Sequence, residues 1–444
     1  MNDIFGKCYK FTDAKNAQEL GIYPYFKPIS TAQTSEVIIN GERKVVCCSN
    51  NYLGLTIHPK VKQASIRAIK KYGTSCTGSR FLSGSLDIHE EVEKKFAKFI
   101  GKESAILFTT GHHVNQGVIS ALVGRGEVVI TDKLDHASII DGCRLSYGEM
   151  VRFKHNDMED LERVLKKYED KPKLIVVDGI FSMEGDICNL PEIIRLAKIY
   201  NARVMVDDAH SLGVLGKNGR GTAEHFGLEK EVDLIMVTAS KSLASIGGFI
   251  AGKEEIIHYI KHFARSLIFT ASLPPAQVGA ISASLDIIQE EPERRERLWQ
   301  ITNKMLQGFK DLGFDTRFSQ TPIIPIKVGG GLQKVFAVCR ALFDEGVFAS
   351  PVLPPAVPEG EELIRTSYMA IHTDEQLDFV LEKFAKVGKE FDIISGQVYK
   401  GKKIKLRPIK NLKNLYPRHM ATKFVAGTKK WMKTIFNNKM LSKK

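Results

Sequence analysis

No CxxC pair occurs among the seven cysteines, Cys8, Cys47, Cys48, Cys76, Cys143, Cys188 and Cys339. An odd number of thiols without paired spacing argues against a disulfide framework and suits a reducing cytoplasm. No stretch approaches the roughly 18 consecutive apolar residues of a membrane-spanning helix. The opening Met1-Asn2-Asp3-Ile4-Phe5 lacks the basic start and apolar core of a secretory signal, so a cytoplasmic protein is expected. Acidic residues are missing altogether from 400–444, which hold 15 Lys or Arg. The net charge of +13 therefore belongs to the tail: the rest has 49 basic against 51 acidic residues. The 444-residue chain, 43% hydrophobic and with a body close to neutral, is long enough for one large and one smaller folded unit.

Four segments are expected. Residues 1–45 read as an N-terminal arm, with a helical start near Ala14–Leu20 and a hairpin strand and turn over Val37–Glu42. Over 46–285, short apolar strands (Ala105–Phe108, Val128–Thr131, Leu174–Asp178, Arg203–Asp207, Leu234–Thr238 and Gly248–Ala251) alternate with amphipathic runs such as Leu161–Tyr168 and Leu190–Tyr200. That alternation implies an α/β unit with a mainly parallel sheet covered on both faces. Residues 286–396 read as a smaller α+β unit, with helices at Glu291–Leu312 and Asp374–Phe391 and strands near Ile323–Val328 and Leu363–Ser367. Residues 397–444 form the basic tail. The run Gly329-Gly330-Gly331 reads as a loop rather than a phosphate cradle, because no strand is seen to lead through it into a helix N-terminus.

Several apolar strands end in polar groups, where doubly wound sheets place their ligand sites. Val237-Thr238-Ala239-Ser240-Lys241-Ser242-Leu243 follows one of them; alone, its lysine reads as solvated. Val204-Met205-Val206-Asp207-Asp208-Ala209-His210 follows another. A carboxylate there could hold a pyridine nitrogen protonated, since an opposite charge at about 4 Å is worth roughly 4 kcal/mol at an effective dielectric near 20. Either aspartate could serve, and one could instead cap the next helix. Asp132-Lys133-Leu134-Asp135-His136-Ala137-Ser138 offers an imidazole that could stack on a flat ring. Phe108-Thr109-Thr110-Gly111-His112-His113-Val114-Asn115 runs from a strand through glycine into a helix start, whose free N–H groups suit a phosphate. Adjacent His112 and His113 point apart and lack a third ligand, so no metal is expected.

Together these residues resemble the α-oxoamine synthases, fold-type I enzymes that use pyridoxal 5′-phosphate (PLP) to condense amino acids with acyl thioesters. The resemblance spans about residues 15–395. It includes Ser49-Asn50-Asn51-Tyr52-Leu53-Gly54-Leu55, Tyr72-Gly73-Thr74 with Gly78-Ser79-Arg80, and Asp178-Gly179-Ile180-Phe181-Ser182-Met183-Glu184-Gly185-Asp186. It continues through Asp207-Asp208-Ala209-His210 and Thr238–Lys241 to Ile364-Arg365-Thr366 and His372-Thr373. His136 precedes Asp207 by 71 positions and Lys241 follows it by 34, spacings similar to the family's. The resemblance implies a seven-stranded sheet and a PLP-binding Lys241 that also moves protons. It implies that Asp207 pairs with the ring nitrogen, that His136 stacks on the ring, and that His210 and Ser182 reach its phenolic oxygen. Gly111 and His112 would hold the phosphate, with Thr238 and Ser240 nearby and Thr270 supplied by the other subunit of a homodimer. Asn50 and Arg365 would bind the substrate carboxylate, Arg365 through two parallel hydrogen bonds.

Within the family the chain is most similar to bacterial serine palmitoyltransferases, through Tyr23-Pro24-Tyr25-Phe26, Asp207–Ser211, Ser240–Leu243 and Pro354-Pro355-Ala356-Val357-Pro358. That likeness implies serine, a long-chain acyl-CoA or acyl carrier protein as donor, and 3-ketosphinganine as product. Leu353 stands where some of these enzymes carry a carboxylate-binding Arg, which leaves cysteate, glycine and alanine as alternative substrates. His112 also replaces the family's usual side chain. An aminotransferase or a catalytically silent subunit are the other readings; ordered motifs from Asn50 to Arg365 argue against the first and Lys241 against the second.

In the tail, Met420, Phe424, Trp431 and Ile435 recur at near-helical spacing among Lys423, Lys429, Lys430, Lys433 and Lys439. That pattern suits an interfacial helix and peripheral contact with the inner face of the membrane. The alternatives are a solvated disordered tail and nonspecific nucleic-acid contact, the latter not an expected partner.

Overall fold

The computed structural model describes residues 3–354 and 356–394. The basic tail lies outside the described residues. Seven strands form the central sheet: β1 (Ser104–Phe108), β2 (Val128–Asp132), β3 (Glu149–Phe153), β4 (Lys173–Asp178), β5 (Arg203–Asp207), β6 (Leu234–Thr238) and β7 (Gly248–Gly252). Their order is β1-β7-β6-β5-β4-β2-β3, parallel except for β7, which runs against both its neighbours. Every residue of β2, β4 and β6 is buried. Continuous burial explains why these strands read as unbroken Val/Ile/Leu runs: helices cover both faces and no side chain of the strand points to water. Separate apolar clusters lie on the two faces, one around Phe96, Phe249 and Val206, the other around Phe108, Val118 and Met205.

Strand β3 has no counterpart among the strands expected from apolar runs. It is an edge strand, Glu149-Met150-Val151-Arg152-Phe153, with only Phe153 buried, so its composition lacks the apolar run that marks the others.

The remaining sheets join distant parts of the chain. Glu36–Ile39 and Glu42–Val46 form a hairpin through Asn40 and Gly41, both at positive φ, and Glu42–Val46 also pairs in parallel with Val347–Phe348. Ile323–Lys327, Leu363–Ser367 and Ser350–Val352 make an antiparallel sheet. Val45 and Cys47 share a core with Ile301, Phe309, Ile364 and Phe384 from the C-terminal helices and strands.

One expectation is corrected. Gly329-Gly330-Gly331 does lead from a strand, Ile323–Lys327, into the helix Gly331–Asp344. A phosphate has no place there, because the buried Glu362 carboxylate already accepts from Gly331 N at 3.2 Å and Gly360 N at 3.0 Å. Backbone N–H groups that would cradle an anion are serving a side chain of the same protein.

Among the described residues, all seven cysteines are free thiols, and no helix is long and apolar enough to cross a membrane.

Candidate active site

Gly111, His136, Ser182, Asp207 and Lys241 lie at or just beyond the carboxyl ends of the parallel strands. β5 ends in Asp207, and the next residue points the opposite way, as successive strand residues must. Asp207 Oδ2 accepts from Asn115 Nδ2 at 2.7 Å and its Oδ1 from Ala209 N at 3.0 Å. Asp208 turns to the helix Thr222–Phe226, accepting from Thr222 N at 3.0 Å and from the Thr222 hydroxyl at 2.5 Å. Burial pushes Asp208 up to about 7 against those hydrogen bonds. Asp208 thus serves the helix start, as the sequence allowed for it, while Asp207 is held by Asn115 and Ala209.

Lys241 sits in the loop after β6. Burial drives its ammonium down to about 7, with Arg365 adding to the effect and the Asp207 and Asp178 carboxylates opposing it. An amine with a pKa near neutrality is unprotonated often enough to attack a carbonyl.

His136 is the N-cap of the helix Ala137–Leu145. Its backbone N donates to Asp178 Oδ2 at 2.9 Å, and its Nδ1 lies 2.7 Å from Ser138 Oγ and accepts from Ser138 N at 3.2 Å. Surrounding protein desolvates the ring and lowers its pKa, Asp207 pulling the other way. His210 is buried, and its Nδ1 lies 2.7 Å from Tyr52 Oη. Burial and the positive charges of Lys241 and Arg365 hold it well below the usual histidine range. Burial also raises Tyr52 to about 12, so its hydroxyl keeps its proton, with Asn50 Oδ1 at 3.4 Å as a second neighbour.

Arg365, at the centre of Leu363–Ser367, is buried; its Nε donates to Ser182 O at 2.6 Å and its Nη2 to Asn50 Oδ1 at 3.0 Å. Asn50, Ser182 and Arg365 therefore form one group, and electrostatic coupling reaches from Arg365 to Lys241 and His210. Ser182 meets Arg365 through its carbonyl rather than its hydroxyl. Leu353 packs beside the apolar cluster of Ala17, Ile22 and Phe336.

Gly111 opens the helix Gly111–Leu122, with Thr110 accepting from His113 N at 3.1 Å. A Cβ on Gly111 would stand 2.8 Å from Thr238 Cβ, and one on Gly248 would stand 2.7 Å from Gly111 Cα. Two glycines are thus required for the helix start to press against β6 and β7. Thr238 and Ser240 share a hydroxyl hydrogen bond of 2.9 Å beside it. His112 points outward to Gln116 and Asp141, and His113 to Thr109, so the adjacent imidazoles do part. Among the described residues no group of three or more His, Cys, Asp or Glu is placed to hold a metal ion. Thr270 stands apart from this group within one chain, next to Ala271, which pairs with Ser79.

Tyr52, Asn115, Ser138 and Asp178 lie within the motifs named above without a role of their own there. Their parts depend on contacts with residues up to 158 positions away, which spacing does not reveal. Asn115 alone left a signal, a polar residue one turn after Gly111 on an otherwise apolar helix face.

The chemistry present suits PLP: a desolvated lysine, a buried carboxylate and a glycine-containing helix start, which could take its aldehyde, ring nitrogen and phosphate, all follow carboxyl ends of the parallel strands.

The family profile of class I and II aminotransferases matches residues 42–384. The serine palmitoyltransferase of Bacteroides thetaiotaomicron is 52% identical over 389 residues, 87% of this chain and 98% of that one. That of Sphingobacterium spiritivorum is 50% identical over 386 residues, 87% of this chain and 96% of that one. The 8-amino-7-oxononanoate synthase of Thermoanaerobacter pseudethanolicus is 45% identical over 379 residues, covering 85% and 96%. Among solved structures, the S. paucimobilis serine palmitoyltransferase with a bound PLP–myriocin aldimine superposes with a TM-score of 0.85 at 36% identity, covering 88% of this chain and all of that one. With this fold and these relatives, the chain belongs to the class I and II aminotransferase family of PLP-dependent fold-type I enzymes, in its α-oxoamine synthase branch.

Proposed function

We propose that this chain condenses L-serine with a long-chain acyl thioester, releasing CO₂ and the free thiol and giving 3-ketosphinganine, the first step of sphingolipid synthesis. The observation that carries the reading is the convergence of Lys241, with its pKa near 7, on Arg365 held by Asn50 and Ser182. About 50% identity to serine palmitoyltransferases over nearly their whole length supports serine as the substrate.

Bound PLP would supply an electron sink for the bond broken at the substrate's Cα. Asp207 would keep its ring nitrogen protonated, the His136 ring would lie against its face, and His210 would reach its phenolic oxygen with Ser182 beside it. The N–H groups of Gly111 and His112 would take the phosphate, with Thr238 and Ser240 near and Thr270 arriving from a second subunit. Arg365 and Asn50 would hold the substrate carboxylate; Leu353, committed to an apolar cluster, adds no charge there. The freed Lys241 amine would take the Cα proton, the Cα carbon would attack the thioester carbonyl, the carboxylate would leave as CO₂, and Lys241 would return a proton to Cα.

A homodimer, a cytoplasmic location and peripheral contact with anionic lipid through the tail complete the reading. The free thiols suit the cytoplasm. The test is CO₂ release from carboxyl-labelled serine, cysteate, glycine and alanine with palmitoyl-CoA. Serine should respond, and Lys241→Ala should abolish it. Release from cysteate, glycine or alanine but not from serine would replace the named reaction by another of the same branch.

A further inference from the structure

We infer that Asn115 is a positioning residue that ties the carboxylate facing the cofactor's ring nitrogen to the histidine facing the ring itself. The inference rests on the assignment of Asp207 and His136 to PLP. Asn115 is fully buried on the helix that starts at Gly111, and its side-chain amide has two hydrogens. One goes to Asp207 Oδ2 at 2.7 Å and the other to Ser138 Oγ at 2.9 Å. Ser138 Oγ in turn lies 2.7 Å from His136 Nδ1. A continuous path therefore runs from Asp207 through Asn115 and Ser138 to His136.

The direction of the path is fixed by counting protons. Asn115 Nδ2 can only donate, so Ser138 Oγ accepts from it. His136 Nδ1 already accepts from Ser138 N at 3.2 Å, so it carries no proton, and the Ser138 hydroxyl donates to it. His136 is thereby held as the neutral tautomer with its proton on Nε2, its ring plane set by two hydrogen bonds to one nitrogen. At the other end, Asp207 Oδ2 takes Asn115 and Oδ1 takes Ala209 N. Two donors on two oxygens lock the carboxylate plane and leave further lone pairs for another donor. One helix supplies Asn115, the start of another supplies His136 and Ser138, and the end of β5 supplies Asp207, so a single amide sets the relative placement of the two groups assigned to the ring. Asn115 Oδ1, buried and without a partner, does not divide this role.

The test uses the full chain, stripped of PLP and titrated with it. Asn115→Leu keeps the approximate shape and removes both donors. Loss of a hydrogen bond to a buried carboxylate predicts a PLP dissociation constant about 10- to 100-fold larger, with far-ultraviolet circular dichroism of the cofactor-free protein unchanged. A well-folded Asn115→Leu protein that binds PLP within about threefold of the parent overturns the inference. Ser138→Ala removes only the His136 arm and supplies the test if Asn115→Leu does not fold. It should bind PLP nearly as the parent does but lose visible circular dichroism per bound PLP, because the ring above the cofactor is no longer oriented. Unchanged visible circular dichroism in Ser138→Ala breaks the proposed path. Failure of the underlying assignment looks different: the parent chain itself would then show no visible PLP band that Lys241→Ala removes.

Discussion

At the scale of single residues, the chemistry turns on where charge is made expensive. Lys241 ordinarily would hold its proton up to 10.5; burial brings it to about 7 although two carboxylates favour the charged form. The neutral amine is the nucleophile, so deprotonation raises reactivity as pH rises. PLP capture by the cofactor-free protein should therefore accelerate across about pH 6 to 8 and then level. Stopped-flow absorbance measures it, and a rate still climbing at about pH 10 would mean an ordinary solvated lysine. The neighbouring aspartates show why a motif names a site without resolving it. Asp207 and Asp208 are adjacent in sequence and identical in chemistry, yet strand alternation sends one to Asn115 and the other to Thr222.

At the scale of elements, the loops after the strands are held by a second layer of charge. His155, following β3, bridges Asp132 at the end of β2 and Asp186 after β4, with its Nδ1 and Nε2 at 3.0 and 3.1 Å. Burial opposes its ionisation, but the two carboxylates win and raise it to about 10. A folded pKa above the unfolded value stabilises the fold fully below about 6.5, and that contribution is lost as pH rises toward 10. His155→Gln should therefore lower Tm clearly at pH 6, with the gap from the parent narrowing by about pH 10. A gap that stays constant over that range would show that packing on Phe181, rather than charge, is what His155 contributes. The same scale explains the glycine run. Gly329–Gly331 form a strand-to-helix turn, but Glu362, some thirty residues away, occupies the helix start.

At the scale of the whole molecule, one described surface and the sequence of the tail ask for partners. Phe81, Leu82 and Phe269 are 55%, 80% and 71% exposed, beside the loop that pairs Ser79 with Ala271 and next to Thr270. Such exposure of large apolar side chains fits the proposed contact with a second copy. Leu82→Glu should shift sedimentation from dimer to monomer and weaken PLP retention; an unchanged dimer would place the interface elsewhere. The tail presents 15 basic residues and no acidic ones. Each basic residue near an anionic surface is worth roughly 1 kcal/mol. Removing residues 400–444 should abolish co-sedimentation with anionic vesicles and leave CO₂ release in detergent intact. Equal binding by the shortened chain would end the membrane reading.

Much of this molecule is local, and the local part was legible. Strands Arg203–Asp207 and Leu234–Thr238 coincide with the bounds read from their apolar runs, because strands covered on both faces are mainly apolar; Leu363–Ser367 has the expected bounds although Arg365, Thr366 and Ser367 are buried polar residues. Asp207, His136 and Lys241 stood out at strand ends, but their roles came only from the family resemblance, since nothing local separated Asp207 from Asp208 or marked Lys241 as other than solvated. Tertiary structure alone decided the rest. It chose between two adjacent aspartates, filled a glycine-rich helix start with Glu362, hid an edge strand among polar residues, and gave Asn115, Ser138 and Tyr52 their partners. Each of those outcomes depends on groups far apart in the chain approaching within about 3 Å in a space without water. Hydrogen-bond partners and pKa values are set by that approach, and no reading along one dimension contains it.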